Sequence, residues 1–107
     1  YYVKGKVKLK SNVVTGGRGC GTPTGRFKLH HKSRNVNLTG PGYVSHVSYW
    51  MPFIGQSYGM HDASWRSTFG GSIYKYNGSH GCVNMPRSKV SKLYKMVPNG
   101  TRVIIRK

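Results

Sequence analysis

The chain has 107 residues, with Lys+Arg 18 against Asp+Glu 1 and a formal net charge of +17, a length that supports one compact core and is too short for two. Asp62 is the single acidic side chain, which excludes two-carboxylate glycoside hydrolysis and carboxylate-rich metal sites, since each needs several. A field of one sign draws polyanions such as nucleic acid, anionic lipid or an anionic wall polymer like teichoic acid, without choosing among them.

Residues 1 to 10 place Tyr1, Val3, Val7 and Leu9 on one parity and Lys4, Lys6, Lys8 and Lys10 on the other, the pattern of a half-buried strand with a lysine row outside. A second strand is predicted around Asn12 to Thr15. The loop from Gly16 to Gly25 follows, punctuated by glycines and Pro23. Cys20 lies in this loop and reads as incidental; only if the loop reaches Cys82 would oxidation to a Cys20–Cys82 disulfide silence the chemistry of that thiol.

Phe27 and Leu29 alternate with charged or polar residues over Arg26 to His31, and Tyr43, Val47, Tyr49 and Met51 repeat the period; these are the predicted core strands. His30, His31 and His46 carry no motif and read as strand residues. After Pro86, residues Val90, Leu93, Tyr94 and Val97 fall at i, i+3, i+4 and i+7, which predicts one amphipathic helix with Pro86 in its first turn. Pro98-Asn99-Gly100 ends it, and Thr101 to Arg106 reads as a last buried strand.

The expected architecture is mainly β, largely antiparallel, with one C-terminal amphipathic helix and residues 1–107 as one domain. No apolar run approaches the roughly twenty residues of a membrane-spanning helix. A start at Tyr1 without Met suggests a piece of a longer protein.

Two segments carry chemistry: Met60-His61-Asp62 and Gly78-Ser79-His80-Gly81-Cys82-Val83-Asn84. A thiol becomes a useful nucleophile when a nearby base or cation favours its thiolate, and both His61 and His80 are candidates. The positive field of the chain acts in the same direction. Gly81 permits a sharp turn in which backbone N–H groups converge on one point, as an oxyanion hole requires. Zinc ligation by His61, His80 and Cys82 is disfavoured, because His-x-Cys is not the usual ligand spacing and no fourth ligand declares itself. Acyl transfer is the chemistry these residue types specify.

His61, seventeen intervening residues and then Ser-His-Gly-Cys-Val-Asn resemble the signature of the L,D-transpeptidase (YkuD-type) catalytic domain. Thr22-Pro23-Thr24-Gly25-Arg26-Phe27, Tyr49-Trp50-Met51-Pro52-Phe53, His61-Asp62-Ala63-Ser64-Trp65-Arg66 and Gly100-Thr101-Arg102-Val103-Ile104 are similar to family segments in the same order. The resemblance implies a β-sandwich-like domain in which Cys82 attacks a peptidoglycan stem tetrapeptide before its terminal D-alanine. An acyl-enzyme forms and passes its acyl group to a side-chain amine of another stem, giving a 3-3 cross-link; water in place of the amine would make an L,D-carboxypeptidase.

By the same resemblance His61 is the base, Asp62 orients it through backbone or side chain, and His80 lines the site. Backbone N–H groups of His80, Gly81 and Cys82 form the oxyanion hole. From the residues themselves, Ser79 and Asn84 serve either turn formation or site positioning, the aromatic density of Tyr49-Trp50-Met51-Pro52-Phe53 predicts apolar walls that exclude water, and Trp65 and Arg66 are expected to shape the site. No cofactor or metal is implied, and carbapenems are expected to acylate Cys82. The expected partners are stem peptides and anionic wall polymers, with no specific nucleic acid, for a monomer outside the cytoplasm at the bacterial wall. A glycan on Asn77 would crowd Ser79, which favours that exterior over a eukaryotic secretory route. The rival reading from charge alone is a cationic, non-catalytic module on wall polymer or nucleic acid, with steep salt dependence.

Overall fold

The strand Tyr43–Ile54 organises the molecule in this computed structural model, which describes all residues except Cys20, Pro41, Gln56 and Lys107. The role of Cys20, incidental or paired with Cys82, therefore lies outside the described residues. In chain order the elements are β1 (Tyr2–Val3), β2 (Lys6–Val7), β3 (Gly25–Lys28), β4 (Ser33–Gly40), β5 (Tyr43–Ile54) and β6 (Tyr58–Asp62). They continue with α1 (Tyr74–Asn77), β7 (Val83–Met85), α2 (Arg87–Met96) and β8 (Arg102–Ile105).

A four-stranded sheet runs β4-β5-β6-β7, and a two-stranded ribbon pairs β3 with β8. The fold is mainly β and sandwich-like. Its core gathers Leu29, Tyr49, Met51, Phe53, Val83 and Met85 from the strands and Val90, Leu93 and Val97 from the helical segment. β5 presents Tyr49, Met51 and Phe53 to this core, because alternate strand residues share a face. Phe27 of the ribbon meets Phe53 with ring centroids 5.6 Å apart. The helix predicted after Pro86 forms as α2, with Pro86 itself as N-cap rather than first-turn residue and with Val90 and Leu93 buried.

Four expectations change, the first at β8: expected to be buried, it alternates, with Arg102 and Ile104 exposed and Val103 and Ile105 turned inward. Residues 1 to 10 form a hairpin, not one strand: Lys4 and Gly5 both take positive φ, 52 and 78 degrees, the geometry of a tight two-residue turn that folds β2 back on β1. Val3 and Val7 are consequently exposed. The segment around Asn12 to Thr15 pairs only at single positions, Val14 with Asn84 and then Gly16 with Ser79, because the chain crosses from β7 to the loop before it. A second helix, the single turn α1, joins α2; four residues are too few to show a helical period.

Among the described residues no helix is long and apolar enough to cross a membrane. With one acidic side chain in the chain, cations find other partners. Lys32 donates to the carbonyls of Tyr94 and Val97 at 2.9 and 2.8 Å, occupying the negative end of α2. Arg34 lies over the Tyr49 ring at 4.5 Å.

Candidate active site

β6 and β7 run parallel, with Met60 opposite Val83 and His61 opposite Asn84. One step back along both strands, Cys82 comes beside Gly59. Strand residues two apart share a face, so Cys82 with Asn84 and Gly59 with His61 lie on the same side of the sheet. This pairing is what joins a thiol and an imidazole distant in sequence. Both line one cavity of about 800 Å³, together with Trp50, Trp65, Arg66, Ser79, His80 and Asn84.

The turn into β7 is tied from several directions. The Ser79 hydroxyl donates to the Cys82 carbonyl at 2.5 Å and accepts from the Gly81 N–H at 3.1 Å. Thr22, from the distant glycine loop, donates its hydroxyl to the Gly81 carbonyl at 2.7 Å and accepts the Gly16 N–H at 2.9 Å. Gly81 has φ 124 degrees, a conformation that side-chain-bearing residues rarely adopt, and a Cβ there would overlap the Tyr58 ring. Gly59 is needed for space instead: a Cβ would stand 2.8 Å from the Trp50 indole and 2.7 Å from β5 backbone.

His61 is buried between indoles, with ring centroids 5.8 Å from Trp50 and 5.9 Å from Trp65. Its Nδ1 lies 2.6 Å from the Asp62 backbone carbonyl. A carbonyl only accepts, so Nδ1 carries the hydrogen and Nε2 is left as the basic nitrogen. Burial pushes the imidazole below its ordinary value, helped by the Arg66 charge and opposed by the Asp62 carbonyl and carboxylate. The thiol moves the other way. Burial raises Cys82 above its ordinary value, only partly offset by the Gly59 N–H, and Sγ–H points to the Ser57 carbonyl at 3.6 Å. The two shifts together favour a neutral thiol beside a neutral imidazole, so local burial works against the general positive field that favours a thiolate.

Asp62 contacts the His61 imidazole through its backbone carbonyl and not its side chain. Its carboxylate turns to β5, accepting the Ser48 N–H at 2.9 and 3.1 Å and the Tyr49 N–H at 2.9 Å. Those donors lie where the β6 pairing ends, so the carboxylate caps the ladder. Tyr49 is likewise turned away from the cavity by the strand alternation: it packs at 5.2 Å from the Tyr94 ring and accepts the Ser91 hydroxyl at 3.1 Å. The Gly81 N–H, expected to point at an oxyanion, is engaged by Ser79.

Other residues line or fasten the site without any motif to mark them. Thr22 and Ser57 reach the turn only through tertiary contact. His31, read as a strand residue, sits between β3 and β4, bonds through Nδ1 with Ser33 at 3.0 Å and lines the cavity. The β4–β5 arm supplies a wall through Val36, Leu38 and Ser45. Asn84 is 1% exposed and its Oδ1 has no hydrogen-bond partner among the described residues. Arg66 donates from Nη1 to the Asn77 carbonyl at 2.6 Å, tying the crossover between β6 and β7. Among the described residues no group of three or more His, Cys, Asp or Glu is placed to hold a metal.

Residues 1–105 match the sequence profile of the L,D-transpeptidase catalytic domain, YkuD. A putative L,D-transpeptidase YkuD of Bacillus subtilis is 36% identical over 84 residues, 78% of this chain and 44% of that protein. The chain thus spans less than half the length of the curated relatives it matches. A crystal structure of a mutant Enterococcus faecium L,D-transpeptidase superposes with a TM-score of 0.95 at 38% identity, covering 99% of this chain and 44% of that one. The catalytic domain of the E. faecium L,D-transpeptidase acylated by ertapenem gives a TM-score of 0.86 at 40% identity, covering 99% and 86%.

Proposed function

The chain belongs to the L,D-transpeptidase catalytic-domain family, and on that premise we propose that it cross-links peptidoglycan stem peptides through a thioester on Cys82, outside the cytoplasm at the bacterial wall. The observation that carries the reading is the parallel β6–β7 pairing that lines one cavity with Cys82 and His61.

The reaction starts from the neutral pair. As Cys82 Sγ bonds to the carbonyl carbon before the terminal D-alanine, His61 Nε2 takes the thiol proton, and the Nδ1–H bond to the Asp62 carbonyl stabilises the imidazolium. The oxyanion is assigned to the turn's backbone around Cys82; the Gly81 N–H reaches it only by leaving the Ser79 hydroxyl. The C–N bond then breaks, the proton passes from His61 to the departing amine, and D-alanine leaves with the acyl group on sulfur. An amine of a second stem attacks this thioester while His61 accepts its proton, and the thiol is restored as the new amide forms. Trp50 and Trp65 flank the imidazole and exclude water from the thioester, which favours the amine over hydrolysis.

The test is incubation with a soluble stem tetrapeptide and an amine acceptor under reducing conditions, with free D-alanine and cross-linked product quantified. The proposal expects both from the native chain and neither from Cys82→Ala. D-alanine release without cross-linked product would reassign it as an L,D-carboxypeptidase, and release by Cys82→Ala would remove the cysteine mechanism.

A further inference from the structure

Every outward charged side chain of this protein is positive. The one acidic residue, Asp62, is 4% exposed and bonded to the N–H groups of Ser48 and Tyr49. On the β3–β8 ribbon this excess takes an ordered form. Phe27, Val103 and Ile105 pack toward the core, so the strand alternation turns Arg26 and Lys28 of β3 and Arg102 and Ile104 of β8 outward. Arg106 continues the same parity and is exposed.

The antiparallel register sets Lys28 directly opposite Arg102 and Arg26 opposite Ile104. Like charges facing each other across a strand pair destabilise it, and among the described residues no acidic side chain is exposed to offset them. Alternate residues along a strand stand about 7 Å apart and the strands about 5 Å. The result is a shallow cationic track rather than a pocket.

We propose that this outward face binds a linear polyanion through Arg26, Lys28, Arg102 and Arg106, and that the polyanion is a phosphodiester-linked wall polymer. A repeating charged backbone matches cations spread along a ribbon. Nucleic acid fits the face less well: single strands are held by aromatic platforms under the bases, and the apolar side chain on this face is the aliphatic Ile104. Assignment to a wall polymer rests on the wall function proposed above; the electrostatic track does not.

The test measures binding of poly(glycerol phosphate) and of single-stranded DNA of matched charge, across a salt series. It compares the native chain, a variant with Arg26→Gln, Lys28→Gln and Arg102→Gln, and a control with Lys4→Gln, Lys6→Gln and Lys8→Gln on the β1–β2 hairpin. The ribbon variant is expected to lose about tenfold or more in affinity for the polymer beyond the control, with a salt slope shallower by about two. It is also expected to release D-alanine from a soluble tetrapeptide at the native rate.

Equal losses in both variants would mean net charge alone acts and would overturn the ribbon as a site. Tighter binding of DNA, lost in the ribbon variant, would overturn the wall polymer as its partner. Native turnover without polymer binding would sink only this inference, whereas polymer binding without turnover would sink only the catalytic one. Lys28→Glu gives an independent reading: it replaces a like-charge pair with an opposite-charge pair, so Tm is expected to rise while polymer affinity falls. A lower Tm would mark Lys28 as a structural contact and contradict the proposal.

Discussion

At the scale of single residues, Asp62 and His61 divide labour that the motif merges. Removing the carboxylate in Asp62→Ala strands the Ser48 and Tyr49 N–H groups, and a buried unsatisfied donor costs about 1–3 kcal/mol. Chemical denaturation is expected to show a loss of that order or more. Because the bond to His61 uses the backbone carbonyl, activity per folded molecule is expected to fall far less than in His61→Ala, where loss of a general base costs about 10²–10⁴-fold. A collapse of activity in folded Asp62→Ala would instead place the carboxylate in the chemistry.

The pH response follows from the same burial. His61 in the fold lies below its ordinary 6.5, so the unfolded chain takes up that proton first, and stability falls as pH drops below 6.5 toward the folded value. Cys82 in the fold lies above its ordinary 9.0, so the unfolded chain ionises first and stability also falls as pH rises past 9.0. A pH series of Tm on native chain and Cys82→Ala separates the two limbs: the substitution is expected to abolish the thiol's share of the alkaline decline and leave the acid one. Activity should persist somewhat below pH 6.5 before its acid limb begins, since Nε2 stays unprotonated there.

At the scale of elements, the turn before β7 and the β6–β7 pair matter most. Gly81→Ala would force a side chain into a φ of 124 degrees and against the Tyr58 ring. It is expected to cut acylation by at least tenfold and to destabilise by about 1–3 kcal/mol, read from acylation kinetics and urea melts. The turn's composition was legible because glycine, serine and cysteine stand adjacent in the chain. Its fastening was not, because Thr22 reaches Gly81 across the fold and a lone threonine in a glycine loop carries no periodic or spacing signal.

The helix α2 was legible from Val90, Leu93, Tyr94 and Val97, a period that only a helix explains. The first ten residues misled because alternation survives a two-residue turn: Val3 and Val7 keep the parity of a strand while Lys4 and Gly5 reverse the chain. Tyr49 was drawn to the site by its neighbour Trp50, yet adjacent strand residues face opposite ways.

At the scale of the whole molecule, net charge of +17 acts on stability and on chemistry with opposite consequences. Self-repulsion destabilises the compact state and is screened by salt, so Tm is expected to rise from low to moderate ionic strength. A Tm insensitive to salt would show that contacts such as Lys32 on the α2 carbonyls and Arg34 on Tyr49 already absorb the repulsion. The same field favours a thiolate, while burial of Cys82 favours the thiol, and the proposed general-base activation by His61 is the step that reconciles the two. Whether Cys82 carries the acyl group is decided by intact-mass spectrometry after exposure to a carbapenem under reducing conditions. A single covalent adduct is expected on the native chain and none on Cys82→Ala; an unmodified native chain, or an adduct that survives in Cys82→Ala, would exclude Cys82 as the acyl carrier.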